Sequence, residues 1–149
     1  MINLFETISA FFKEQEWPTF QLEGETTLQT SFQGDNGKWT CYARTVESSK
    51  QIVFYSVYPV NVPEAKRTTM AEFITRANYG LIVGNFEMDY EDGELRYKTS
   101  VGLEGEEPSP ALLRHLVFVN VLTTDKYLPG IMKLAYNDIS ATEALKAVE

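Results

Sequence analysis

The first apolar positions of the chain recur at three- and four-residue intervals. Leu4, Phe5, Ile8, Phe11 and Phe12 share one face of a helix, an aromatic-rich stripe suited to a core. Asn3, with Glu6 three residues later, is a capping pair for its start. Trp17-Pro18 ends it, because the residue before a proline is pushed out of the helical region. From Thr26 the period changes to two: Leu28 and Phe32 alternate with Thr27, Gln29, Ser31 and Gln33. Gly34-Asp35-Asn36-Gly37 is a strong turn, since Gly and Asn accept positive φ at low cost. Lys38 to Glu47 is the return strand, Ser48-Ser49 a weaker turn, and Gln51 to Val60 a third strand. That third strand is apolar on both faces, with Ile52, Phe54 and Tyr58 on one and Val53, Tyr55 and Val57 on the other. Both faces are therefore expected to be covered.

Asn61-Val62-Pro63-Glu64 predicts a helix start with proline in the first turn. Met70, Phe73, Ile74 and Ala77 form its buried stripe, and Lys66, Arg67, Glu72 and Arg76 its wet side. Asn78-Tyr79-Gly80 is the stop, with Gly80 assigned to a left-handed cap. A fourth strand turns Ile82, Phe86, Met88 and Tyr90 inward and Asn85, Glu87 and Asp89 outward. Glu91-Asp92-Gly93-Glu94 reverses the chain. A fifth strand turns Leu95, Tyr97 and Val101 inward and Arg96 and Lys98 outward, so acids face bases across an antiparallel pair. The loop from Gly102 to Pro108 is the expected flexible segment. Ser109-Pro110 opens a long helix whose apolar positions Leu112, Leu113, Leu116, Val117 and Val119 run nearly all round it. Pro129-Gly130 falls inside that pattern and should kink or split the helix, because proline cannot donate to the Asp125 carbonyl. Ile131, Leu134 and Ala135 continue beyond it, and Ser140 to Glu143 is a capping box for a short last helix. The order α-βββ-α-ββ-α predicts an α+β fold on a mainly antiparallel five-stranded sheet, one domain over residues 1–149.

Composition narrows the function. A chain of 149 residues can bury a sizeable core. Its net charge is −8, concentrated in the second hairpin and the loop after it. That field repels phosphate backbones and anionic headgroups, which argues against nucleic-acid and membrane-surface partners. Met1-Ile2-Asn3-Leu4-Phe5 lacks the pattern of a secretory leader, and no apolar run nears the roughly 20 residues that span a bilayer. The lone Cys41 cannot form an internal disulfide, so a cytoplasmic location is expected.

Candidate chemistry is sparse. Cys41 and His115 are the only residues of their kinds, and a thiolate–imidazole pair is the one nucleophilic arrangement the composition permits. Both sit in apolar surroundings that favour buried structural roles. Asp89 to Glu94 has the wrong spacing for a calcium loop, since Gly93 falls where a ligand should be. Gly80 to Gly84 lacks the third glycine of a dinucleotide fingerprint. Lys66, Arg67 and Arg76 are too few for a nucleic-acid footprint. No catalytic residue, metal site or cofactor is expected.

Several segments together point to a family: Trp39 to Tyr42, Val53 to Val57, Pro59 to Pro63, Arg76 to Gly80, Gly84 to Glu87, Asp92 to Lys98 and Tyr127 to Gly130. With these the chain resembles, over essentially its whole length, the YbjN-domain family of bacterial proteins, most closely its cyanobacterial form. The resemblance implies a fold similar to type III secretion chaperones, small acidic and usually dimeric proteins that hold partly unfolded partners. It implies a non-enzymatic protein-binding module, chaperone-like or regulatory, and supplies no catalytic residues. The doubly apolar third strand is where such a role would sit. Val53, Tyr55 and Val57 either lie under a helix or the chain's own loops, or form an interface for a protein partner or a second copy in a homodimer. The alternatives are a regulatory domain sensing a small molecule between sheet and long helix near Pro129-Gly130, and an acid-using hydrolase.

Overall fold

Alternation of apolar and polar residues along five segments, with a two-residue strand added at one edge, builds one antiparallel sheet. A computed structural model of the chain describes residues 3–149, so the part of the leader reading that falls on Met1 and Ile2 lies outside the described residues. The strands are β1 (Phe20–Gln21), β2 (Thr27–Gln33), β3 (Lys38–Val46), β4 (Gln51–Asn61), β5 (Asn85–Met88) and β6 (Glu94–Gly102). The helices are α1 (Leu4–Glu14), α2 (Arg67–Gly80), α3 (Pro110–Tyr136) and α4 (Ala141–Lys146). The sheet order is β1-β2-β3-β4-β6-β5, with every neighbouring pair antiparallel. The chain thus leaves the sheet after β4, forms α2, and returns to the far edge as β5. The strand missing from the expectation of five is β1, whose two residues pair with Gln29 and Leu28 and are too few to carry a period.

The helices pack on one face. From β4, Ser56 and Tyr58 reach α3, donating to Asn120 Oδ1 at 2.6 Å and to the Thr124 carbonyl at 3.0 Å. Phe54 on the same face stacks with Phe12 of α1 at 6.2 Å, and Phe86 of β5 packs against Tyr127 of α3 at 5.0 Å. The helix ends follow their capping signals. Asn3 Oδ1 accepts from Glu6 N at 2.8 Å, Ser109 Oγ from Leu112 N at 3.1 Å, and Ser140 with Glu143 closes a reciprocal box. Glu47, between β3 and β4, adds a remote partner by accepting from Leu4 N at 3.0 Å.

Several local expectations are corrected. Gly80 is the last helical residue and has no positive φ; the glycines with that conformation in this region are Gly84 (φ +75) and Gly93 (φ +78). At Gly84 a Cβ would stand 2.6 Å from the Lys98 carbonyl. Ile82 and Tyr90 do not point inward. The strand starts only after Gly84 and stops at Met88, which leaves Ile82 98% exposed ahead of it and Tyr90 in the turn beyond. Arg67 is not a wet-face residue; its guanidinium donates to the Val62 and Tyr90 carbonyls at 3.0 Å and fastens the β5–β6 turn to α2. Pro129 does not split α3, which runs through it as one helix.

Candidate functional site

Cys41 lies on the buried face of β3 against Ser56, with the two side chains 3.6 Å apart. Ser56 bonds Asn120, and the Asn120 amide donates to the carbonyls of Phe54 (2.9 Å) and Tyr97 (3.2 Å) and to Thr99 Oγ1 (3.2 Å). This closed network pins α3 to β4 and β6, and its polar groups satisfy one another. Burial pushes the Cys41 thiol up to about 12, so the sulphur stays protonated and inert. His115 is exposed on α3, contrary to its expected burial. A side chain in the core and one on the outer surface of a helix do not make a dyad. Among the described residues no three His, Cys, Asp or Glu side chains group to hold a metal.

Three acids of the second hairpin, Glu87, Asp89 and Asp92, are engaged by the fold itself. Glu87 accepts from Arg96 at 2.5 Å and from Lys98 at 3.1 Å, the cross-strand pairing that alternation predicts. Asp89 Oδ1 accepts from Glu91 N, and Asp92 Oδ1 from Glu94 N, both as turn-forming bonds.

A contact across 90 residues was not legible in the sequence. The Asp125 carboxylate accepts from the backbone N–H groups of Asp35 (3.0 Å) and Asn36 (2.8 Å) in the β2–β3 turn. The Asp125 carbonyl, left without a helical donor by Pro129, accepts from Asn36 Nδ2 at 3.0 Å. The turn glycines permit this approach, since a Cβ on Gly34 would stand 2.3 Å from Asp125 Oδ1 and one on Gly37 2.6 Å from Leu128 Cδ2. At Gly130 the long helix is close-packed on α4 and α2: a Cβ there would meet the Ala144 carbonyl of α4 at 2.8 Å and Phe73 Cε2 of α2 at 3.4 Å.

The outer face of the sheet is the remaining candidate. Register sets its rows. Thr40, Val57, Arg96 and Glu87 form one row, Tyr42, Tyr55, Lys98 and Asn85 the next, and Arg44, Val53 and Ser100 a third. Val53, Tyr55 and Val57 are half-buried. Their neighbours rather than a helix shield them, and the Arg96 guanidinium sits 4.1 Å from the centre of the Tyr55 ring. The expectation of cover on both faces of β4 therefore holds on the helical side only. Tyr42, Arg44, Tyr55, Val57 and Arg96 line a groove of about 480 Å³, rimmed by Leu22 and Glu25 of the β1–β2 turn. A second depression of about 390 Å³ shares Tyr42 and Val57 with it and continues across Thr40 and Ser31. Tyr42 and Arg44 were missed as site residues; the alternation of β3 places both on this face, but only the pairing with β4 brings them beside Tyr55 and Val53.

Among the described residues no helix is long and apolar enough to cross a membrane. The fold is similar to that of YbjN from E. coli, described as a putative transcription regulator. That match has a TM-score of 0.59 at 10% identity, covering 78% of this chain and 82% of that one. It is also similar to a chain of the ExsC–ExsE complex, with a TM-score of 0.58 at 10% identity, covering 85% and 95%. A chain of the HopA1–SchA chaperone–effector complex matches with a TM-score of 0.49 at 15% identity, covering 81% and 90%. No curated protein matches the chain. The expected α+β fold on an antiparallel sheet is the observed one, with one strand more, and it is shared with a chain of the ExsC–ExsE complex. The YbjN family, described as "putative bacterial sensory transduction regulator", matches over residues 5–132, and the chain belongs to that family.

Proposed function

We propose that this chain is a non-enzymatic protein-binding module that receives its partner on the outer face of the sheet, around Val53, Tyr55 and Val57. The carrying observation is that the helices pack on one face and leave a half-exposed valine–tyrosine strip, lined by a groove, on the other. Tyrosine supplies large contact area at low conformational-entropy cost. The ExsC–ExsE complex contains a chain of similar fold, which supports a protein as the occupant. The inert thiol and the engagement of Glu87, Asp89 and Asp92 in ion pairs and turn bonds support this reading over the chemical ones. A second copy of the chain is the other protein occupant consistent with this strip.

Substituting Tyr55→Glu or Val57→Glu is expected to lower self-association or partner capture while leaving thermal unfolding unchanged. Light scattering reads the first and affinity capture the second. An unchanged mass together with unchanged capture would remove the surface from consideration.

A further inference from the structure

The charges on the open face do not follow those of the molecule. The chain carries −8, yet the outward positions of β3, β5 and β6 hold Lys38, Arg44, Arg96 and Lys98 against Glu87 and Glu94, with Glu25 of the β1–β2 turn on the groove's rim. Arg96 and Lys98 share the one carboxylate of Glu87. Lys38 and Arg44 are exposed and form no ion pair among the described residues. Along β3 the outward residues run Lys38, Thr40, Tyr42, Arg44, so a cation stands at each end. Val57 and Tyr55 lie beside the two middle positions. Same-side residues of an extended chain are about 6.8 Å apart, so Lys38 and Arg44 are separated by roughly 20 Å.

We infer that the open face takes an extended segment of a partner polypeptide bearing an acid at each end and two apolar side chains between them, all on one side of the strand. The apolar pair would cover Tyr42, Tyr55 and Val57 while the acids meet Lys38 and Arg44. This rests on the protein-binding reading of the same face and adds the chemistry of the partner. A second copy would bring the same unpaired Lys38 and Arg44 to the interface, so an acidic segment is favoured over it as the occupant.

The test uses the ¹⁵N-labelled chain and three probes. One is a peptide of about seven residues with Glu at both ends, Val at the two inner same-side positions and Ser between. The second has Lys in place of Glu, and the third is oligothymidylate. The acid-ended peptide is expected to shift the amide signals of residues 38–44 and 53–57. Arg44→Glu should weaken it about tenfold, Arg44→Gln less, and added salt should weaken it further. Thermal unfolding of both variants controls for the fold. Equal or tighter binding of the Lys-ended peptide, binding of oligothymidylate in its place, or no shift with the acid-ended peptide at millimolar concentration would overturn the inference. If Tyr55→Glu abolishes the binding of both peptides while Arg44→Glu alters neither, the surface stands and the acid preference falls. If both peptides bind regardless of Tyr55→Glu, the surface reading itself fails.

Discussion

Asp125 answers two needs at once. Its carboxylate satisfies two turn N–H groups, and its carbonyl, orphaned by Pro129, is satisfied by the side chain of Asn36 in the same turn. Asp125→Ala removes the acceptor from two partly buried donors. It is expected to cost about 2–4 kcal/mol, read as a lower urea midpoint. Gly34→Ala should be destabilising for the complementary reason, because its methyl would overlap the same carboxylate. An unchanged midpoint for Asp125→Ala would show that water replaces the carboxylate. Cys41 makes a second prediction at this scale. Its folded pKa is raised from the ordinary 9.0 to about 12 by burial. Below 9.0 both states hold the proton and nothing changes. Above it the unfolded chain gains thiolate first, so stability falls as pH rises across that window. Thiol-reagent labelling at neutral pH should accordingly follow the opening of the fold and accelerate in denaturant.

The edges of the sheet are managed element by element. β1 is only two residues long, a short edge that offers little to pair with. β5 is protected differently. Asn78 of α2 donates to the Phe86 carbonyl at 3.0 Å and accepts from Phe86 N at 2.7 Å, closing the outward-facing backbone groups in the middle of the strand. Asn78→Ala is expected to cost about 1–2 kcal/mol and to raise the tendency to associate through β5. Denaturation and light scattering at rising concentration check the two effects, and a variant as monodisperse as the parent would count against the edge role. The sequence presented Asn78 as part of a helix stop, and the stop is real. Its bond to Phe86 depends on where β5 lies relative to α2, which no local pattern specifies. The same limit explains Ile82 and Tyr90. Period-two alternation extends past both ends of β5, and Gly84 and the turn at Asp89 decide where pairing begins and ends.

Across the whole molecule, two carboxylates couple stability to acid. The Glu47 pKa is lowered chiefly by the hydrogen bond from Lys50 and then by Leu4 N, tying the start of α1 to the β3–β4 connection. At Glu87 burial acts upward, but the hydrogen bonds from Lys98 and Arg96 outweigh it and the net shift is down. A depressed carboxylate contributes stability above its ordinary 4.5, and that contribution is lost as pH falls through the folded value. The melting temperature should therefore drop in acid below that point, and Glu87→Gln should show a smaller drop than the parent. Equal pH profiles would mean that the pairs contribute nothing. Local sequence was enough for the three long helices, the N-caps Asn3, Ser109 and Ser140, both hairpins and the apolar stripes of the core. Each is a property of consecutive residues and their period. It also marked β4 as apolar on both sides, which is why Val53, Tyr55 and Val57 were legible as candidates. The folded chain as a whole was needed to place β6 between β4 and β5, to pack the helices on one face, and to bring Tyr42, Arg44, Arg96 and Lys98 around the strip on the other. Those outcomes rest on contacts between residues far apart in the chain, where the packing of one face withholds cover from the next.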